Sequence, residues 1–320
     1  MNPSAPVYHS FLSFLVSSSK IFLTLVRVHA ALPLPPELYW NSVLPNTPMP
    51  KTLSELIQPE SGGTATNFAG YNPQSFMAAR LLFFLYNRSA SRDDINRLKD
   101  PTQVVFFLEE AVRPGITMKY SFSRNTSTPA MFLPREIAES VPFSSSKLPE
   151  ILNRFSLKPG SVQADIMKQT LQTCESTAIP GEQRYCATSL ESLVDYATAK
   201  LGRNIQPIST ELEAGAAIQN YTITPGVKLI TSADKDRLIV CHKMDNGYAV
   251  FYCHGFKRTR AYSVPLQGSD GTKVKAVAIC HLDTSAWNPK TYALLEVKVA
   301  PGTDSVCHFL PEGHIAWVPK

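Results

Sequence analysis

The chain has little charge and lacks the motifs that mark several common classes of protein. Only 18% of its 320 residues are charged, while 44% are hydrophobic, a balance that favours a folded core over disorder. It has no run of Lys or Arg that would form a nucleic-acid patch, so nucleic acid is not an expected partner. A phosphate-binding glycine loop and a Gly-x-Ser-x-Gly elbow are also missing, so no motif indicates a nucleotide-binding enzyme or a serine hydrolase.

Long apolar stretches are missing after residue 30, so no membrane span is expected. The first 30 residues contain two apolar blocks, at 11–16 and 21–26, and end in small residues before Ala31. This pattern favours a secretory signal peptide over residues 1–30, with a disordered or membrane-surface tail as the alternative. The predicted localisation is therefore secreted.

Two further features agree with secretion. The six cysteines form an even set, as expected for disulfide bonds in an oxidising compartment. Three sequons predict glycosylation at Asn87, Asn125 and Asn220. The net charge of +5 would suit an acidic partner such as an anionic polysaccharide, although an ordinary basic globular protein has the same balance.

What stands out against these absences is a repeated Cys-His dipeptide. It occurs four times in the last 80 residues, with gaps of 10, 25 and 25 residues, and Trp317 follows the last pair. The repeat indicates that a thiol and an imidazole are needed together at four places. The pairs are Cys241-His242, Cys253-His254, Cys280-His281 and Cys307-His308.

Strand geometry would separate the two residues of each pair. Neighbouring side chains of a strand point to opposite faces, so the four cysteines would share one face and the four histidines the other. The cysteines would then join strands as disulfides, with three connectivities open. Cys174 and Cys186 flank a Pro180-Gly181 turn and are expected to bridge each other, although a cross-link to the other four remains open.

The histidines are candidate metal ligands. An all-imidazole set, His242, His254, His281 and His308, with His314 as an additional candidate, suits copper, zinc or nickel, and an oxidising compartment favours copper. Asp283 could orient His281, or could cap a turn. The alternatives are unrelated core or surface histidines and a zinc site that uses the cysteine thiolates. Zinc motifs usually contain Cys-x2–4-Cys spacings, and none occurs here.

The predicted fold class is α+β, a helical half followed by a mostly antiparallel β half, stapled by disulfides. Proline-rich residues 31–62 predict an extended arm, because the residue before a proline disfavours helix. Ser161 and Ser189 are expected to cap two helices. Helices are predicted at 148–155, 161–173 and 189–201. Strands are predicted at 103–109, 117–122, 237–242, 248–254, 261–266, 274–281, 292–299, 306–310 and 315–318.

The Cys-His repeat with its trailing Trp resembles the signature of the BURP domain of secreted plant proteins. Other blocks are similar to that family too: Phe-Ser-Ser at 143–145, Cys-Ala-Thr-Ser-Leu-Glu-Ser-Leu-Val-Asp at 186–195, Cys-His-Leu-Asp-Thr-Ser-Ala-Trp at 280–287, and the Leu-Tyr-Trp and Leu-Pro-Asn-Thr-Pro-Met-Pro segments near residues 38–50. The resemblance implies a signal peptide (1–30), a Pro-rich and variable N-terminal segment (31–100) and a BURP domain (101–320).

The resemblance implies two functions. Many members are cell-wall or apoplastic proteins tied to development and stress, which makes a wall polysaccharide a candidate partner. Others are copper-dependent peptide cyclases that oxidatively link a Trp or Tyr side chain of a core peptide. Their paired histidines bind copper, and these map onto His242, His254, His281 and His308.

The chain departs from the cyclase pattern, because residues 60–100 hold no repeated core peptide and only Tyr71 and Tyr86 as candidate acceptors. We therefore expect a secreted, copper-binding wall protein of undefined molecular role. A copper-dependent peptide cyclase, with a peptide as substrate, is the alternative, and a structural protein without metal is a third hypothesis. No catalytic residue is assigned.

Overall fold

The computed structural model describes residues 36–57, 105–122, 130–212, 218–231 and 237–320. The predicted signal peptide and most of the predicted variable segment lie outside these residues, as do the sequons at Asn87 and Asn125, so these assignments stay predictions. Within the described ranges, no helix combines the length and the apolar character that crossing a bilayer demands.

The described residues form helices and strands that alternate over the first half and are mainly strands after residue 218. The helices are α1 (Pro36–Val43), α2 (Lys51–Ser54), α3 (Arg135–Glu139), α4 (Leu148–Arg154), α5 (Val162–Glu175), α6 (Leu190–Leu201) and α7 (Tyr292–Val297). The strands are β1 (Phe106–Leu108), β2 (Thr117–Tyr120), β3 (Gln183–Ala187), β4 (Ile205–Ile208), β5 (Glu211–Leu212), β6 (Gln219–Ile223), β7 (Lys228–Leu229), β8 (Ile239–Met244), β9 (Val250–Gly255), β10 (Thr259–Gly268), β11 (Lys273–His281), β12 (Val306–Phe309) and β13 (Ile315–Pro319).

The strands form two antiparallel sheets. The large sheet has the order β1-β12-β11-β10-β6-β2, with β5 added to β11 and β7 to β10. The small sheet has the order β3-β9-β8-β13-β4. Every described strand pair is antiparallel, and three disulfides join the cysteines, so the α+β, disulfide-stapled fold class is confirmed.

The two sheets contact each other through aliphatic side chains next to the Cys-His pairs. Val240 of β8 and Ala316 of β13 belong to one buried cluster with Val277 and Ile279 of β11. Burial of aliphatic surface stabilises such a contact by roughly 25 cal/mol per Å² removed from water. This contact brings the histidine-bearing faces of the two sheets together.

The outer faces of both sheets are covered as well. On the small sheet, the Cys241 and Cys253 face packs under α6, whose Leu193 and Val194 are fully buried. On the large sheet, the corresponding face packs under an aromatic cluster that includes Phe107. The caps of the central helices are as predicted: Ser161 accepts from the Ala164 N–H, and Ser189 forms a capping box with Ser192.

Residues 36–57 contain helices α1 and α2, joined by the non-helical stretch 44–50, so the predicted extended arm is wrong over the two helices. Pro36 is the first residue of α1, a position at which the missing N–H would have no helical partner anyway. Trp40 is buried against Trp317, with ring centroids 5.7 Å apart, and its indole N–H donates to the Thr47 carbonyl. Tertiary burial of Trp40 therefore decides the conformation, which local proline signals alone do not predict.

A second difference concerns residues 292–299, which the apolar pattern predicts as a strand. They contain helix α7, whose Tyr292, Ala293 and Leu294 pack beside β1. A short and mostly apolar run, interrupted here only by Glu296 and Lys298, fits a buried helix as well as a buried strand. The structure also contains β3, β4 and β6, which lie in the half predicted to be helical.

We predict that Trp40→Ala lowers the free energy of unfolding by about 3–5 kcal/mol, because it empties a large buried site under Trp317. Leu38→Ala, on the exposed side of the same helix, is the matched control and should change it by less than about 0.5 kcal/mol. Urea unfolding followed by tryptophan fluorescence and circular dichroism measures both. Equal stability of the two variants would show that α1 does not belong to the core.

Candidate metal centre

The cross-strand register explains the Cys-His dipeptides. Cys241 stands directly opposite Cys253 in the β8–β9 ladder, and the two form a disulfide. Since side chains alternate along a strand, the next residues, His242 and His254, both point to the opposite face. Their diagonal position puts the two ring centroids 5.1 Å apart.

The large sheet repeats this arrangement. Cys280 stands opposite Cys307 in the β11–β12 ladder and is bonded to it. His281 and His308 occupy the other face, with stacked rings whose centroids are 5.9 Å apart. Cys174 and Cys186 form the third disulfide, so no cysteine of the chain is free. The zinc site built from thiolates therefore lacks its sulfur ligands.

The two histidine pairs meet between the sheets. The His242 and His308 ring centroids are 6.2 Å apart, which joins the pair on the small sheet to the pair on the large one. His314, in the turn before β13, adds a fifth imidazole: its Nδ1 lies 3.0 Å from His242 Nδ1. The structure thus brings all five candidate imidazoles into one group.

The tightest contact in this group joins His242 and His254. Their Nε2 atoms are 3.1 Å apart. Two imidazole nitrogens bound to one metal ion at about 2.0–2.1 Å each are separated by roughly 3 Å as well. The pair can therefore share either a proton or a metal ion with little change in the separation of the nitrogens.

Deep burial sets the electrostatics of the group. All five imidazoles are between 1% and 6% exposed. Burial, followed by the charges of the neighbouring histidines, holds the pKa values of His242 and His281 well below the ordinary value. Burial also lowers the pKa of His308 to about 4 and that of His314, with Lys243 nearby, to about 3. These four imidazoles are neutral at physiological pH, the form that binds metal.

One carboxylate belongs to the site. Glu182 Oε1 lies 3.1 Å from His254 Nδ1 and accepts a hydrogen bond from the Tyr252 hydroxyl at 2.8 Å. Burial raises the pKa of Glu182, but the hydrogen bonds from His254 and Tyr252 outweigh the effect of burial, so the pKa is lowered overall. The sequence analysis did not identify Glu182, since 72 residues separate it from His254.

Asp283, the carboxylate that the sequence indicates as a possible partner of His281, is bonded to Ser285 instead. Asp283 is exposed and accepts hydrogen bonds from the backbone N–H and the hydroxyl of Ser285. Its role is therefore the turn cap, which was the alternative to orienting His281. Trp287 is the neighbour of His281 instead, with ring centroids 5.3 Å apart.

The side chains of this group fit a metal ion in part. Imidazoles without thiolates suit copper, zinc or nickel, and the facing Nε2 atoms of His242 and His254 have a fitting separation. Among the residues that the structure describes, no three His, Cys, Asp or Glu side chains already form a ready metal-holding group. Two imidazoles are thus in place, and ligation by His281 and His308 requires their side chains to move.

Comparison with known proteins identifies the family of the chain. A family model described as the BURP domain matches residues 105–319. The chain belongs to the BURP-domain family. It is 48% identical over 236 residues to BURP domain-containing protein 3 of Oryza sativa subsp. japonica, which covers 73% of the chain and 54% of that relative. It is 45% identical over 239 residues to BURP domain protein RD22 of Arabidopsis thaliana, covering 73% of the chain and 60% of that relative.

A further BURP relative matches over nearly the whole of both chains. BURP domain-containing protein 5 of Oryza sativa subsp. japonica is 42% identical over 300 residues, 91% of this chain and 89% of that protein. With the first two relatives, by contrast, the match spans only a little more than half of their length. The BURP domain of this chain contains all four Cys-His pairs, together with His314 and Glu182, whereas α1 and α2 precede the matched span.

We predict that the metal-free protein loses stability as the pH falls below about 6.5, the ordinary pKa of histidine. In the folded state His308 and His314 protonate only near 4 and 3, so the unfolded chain binds more protons between these values and 6.5. The contribution is fully present above pH 6.5, and for His308 alone about 3 kcal/mol is lost by pH 4.

Urea unfolding in the presence of a chelator, at pH values between 7 and 5, measures this loss before most carboxylates titrate. The variant His314→Gln should show a weaker pH dependence than the wild type, because one depressed imidazole is gone. A free energy of unfolding that stays constant between pH 7 and pH 5 would contradict the buried, neutral state of these histidines.

Proposed function

We propose that this BURP protein is secreted to the plant cell wall or apoplast and binds copper through His242, His254, His281 and His308, in a role linked to development or stress. The observation that carries the proposal is the 3.1 Å separation of His242 Nε2 and His254 Nε2 in a buried, thiol-free group of imidazoles. Its molecular partner is proposed only by class, as a wall polysaccharide or a peptide.

The choice of copper follows from the donors and from the compartment. Three disulfides fit an extracellular protein, because such bonds persist where thiols are oxidised. In that setting the cysteines cannot act as thiolates, and borderline imidazole nitrogens are the ligands that remain. Among first-row divalent metals, copper binds such a site most strongly. When bound, copper would supply redox chemistry at the site.

Secretion and glycosylation are supported by what the structure shows of Asn220. This residue lies in β6, and its side chain is exposed, so a glycan could be attached there without entering the core. Secretion through a glycosylating compartment would also provide the oxidising conditions that form the three disulfides. The proposal therefore includes a signal peptide and glycosylation of the secreted protein.

The alternative, a copper-dependent peptide cyclase, needs a Tyr or Trp side chain to reach the metal. The histidines are at most 6% exposed, so a peptide would have to displace part of their cover. Binding of copper requires a smaller opening than binding of a peptide. The geometry therefore supports a copper-binding protein better than a cyclase.

We predict that the protein binds copper when it is secreted into copper-containing medium, and that His254→Ala weakens binding at least tenfold because one of the two facing nitrogens is lost. Metal analysis of the purified protein and competition with a chelator of known affinity measure this. Glu109→Gln is the control. Glu109 accepts from the Tyr262 hydroxyl and pairs with Arg260, and the variant should bind as the wild type does.

A metal-free wild type after copper exposure would overturn the proposal and leave the purely structural protein. The same samples also test the cyclase. A loss of two hydrogens from a peptide containing Tyr71 or Tyr86, dependent on copper and oxygen and absent in His254→Ala, would favour the cyclase over the binding protein.

A further inference from the structure

Glu182 is an acidic side chain in contact with the histidine group, and several hydrogen bonds fix its own position. Its side chain is 1% exposed. Oε2 accepts from the backbone N–H of Ile179 at 3.1 Å, and Oε1 accepts from the Tyr252 hydroxyl. A buried carboxylate with several donors is fixed in position and cannot rotate away from His254 without losing them.

The local sequence explains why Glu182 stands there. Ile179, Pro180, Gly181 and Glu182 form a turn in which the Glu182 N–H donates to the Ile179 carbonyl at 3.0 Å. Gly181 has a φ of +84°, the value that the third position of a type II turn requires, and proline favours the second position. The turn lies inside the loop closed by the Cys174–Cys186 disulfide, which connects α5 to β3.

We propose that Glu182 is a positioning residue that holds His254 as the Nδ1–H tautomer and thereby directs the Nε2 lone pair of His254 toward the metal. A glutamate is ionised at neutral pH and can only accept hydrogen bonds. Both oxygens of Glu182 accept hydrogen bonds, so His254 Nδ1, 3.1 Å from Oε1, is the donor of this contact. This proposal rests on the proposed copper function for its purpose, but not for its geometry.

In the metal-free protein, the position of the proton on His254 also determines the proton positions on the neighbouring imidazoles. With Nδ1–H donated to Glu182, His254 Nε2 accepts, so the proton at the 3.1 Å contact belongs to His242 Nε2. His242 Nδ1 is then an acceptor, and His314 Nδ1, 3.0 Å away, is the donor. Glu182 therefore sets the direction of a chain of three hydrogen bonds that ends at His314.

A carboxylate behind a ligand histidine has a known physical effect. It fixes the ring orientation and tautomer and raises the basicity of the nitrogen that binds the metal. Removing such a partner typically weakens metal binding about 10–100-fold. Here the carboxylate is positioned by a disulfide-closed loop, which gives the third disulfide a role at the site.

The first test measures the tautomer and needs no metal. In chelator-treated protein with ¹⁵N-labelled histidine, two-bond ¹H–¹⁵N correlation spectra distinguish protonated from unprotonated ring nitrogens, and His254→Gln assigns the signals. We expect Nδ1 of His254 to be protonated and Nε2 unprotonated at pH 7. A protonated Nε2 with an unprotonated Nδ1 in the wild type would overturn the proposal.

The second test measures copper affinity. Glu182→Gln keeps the shape but loses the charge, and its amide can donate as well as accept, so the tautomer is no longer enforced. We expect a mixed tautomer and copper affinity lowered about 10–100-fold, with the Cu(II) electron paramagnetic resonance spectrum altered. Glu109→Gln, which removes a carboxylate bonded to a tyrosine and paired with an arginine, should change neither.

Wild-type affinity and an unchanged tautomer in a folded Glu182→Gln protein would overturn the positioning role. If Glu182→Gln does not fold, the wild-type tautomer still decides the matter. A wild type that binds no copper would instead remove the proposed function, while the tautomer measurement would still report on Glu182.

Discussion

Two disulfide bonds each join cysteines that stand directly opposite one another in neighbouring antiparallel strands, Cys241 with Cys253 and Cys280 with Cys307. A bond of this kind fixes the register of its strand pair. A shift by one residue would move every side chain to the other face, so the register also fixes where the following histidines point. The Cys-His dipeptide thus places an imidazole on the inner face of a pair of strands that a disulfide holds in register.

Packing then completes the group. The aliphatic contact between β8, β11 and β13 holds the two sheets together and places His242 near His308. Burial lowers the pKa of four of these histidines, and the cost in stability appears when acid protonates them: His242, His281, His308 and His314. Binding of the proposed metal would be coupled to folding, because the imidazole nitrogens are gathered only in the folded chain. The disulfides limit the freedom of the unfolded chain and so offset part of that cost.

The features of this arrangement that depend on neighbouring residues can be predicted from the sequence. Alternation along a strand places Cys and His on opposite faces, and the helices capped by Ser161 and Ser189 follow from local signals. The contacts between residues far apart in the sequence cannot be predicted from it. The pairing of Cys280 with Cys307 rather than with Cys241 depends on strand order, and Glu182 meets His254 only after β3 pairs with β9. Helix α1 and helix α7 likewise depend on what they are buried against, Trp317 for the first and β1 for the second.

The disulfide connectivity tests the central claim most directly. Digestion of the secreted protein without reduction, followed by mass spectrometry of the linked peptides, reads the pairs without any variant. We expect Cys241 linked to Cys253 and Cys280 linked to Cys307, because these cysteines stand opposite one another in the two ladders. A link between Cys241 or Cys253 and either cysteine of the large sheet would contradict it, since the histidine faces could not then meet between the sheets.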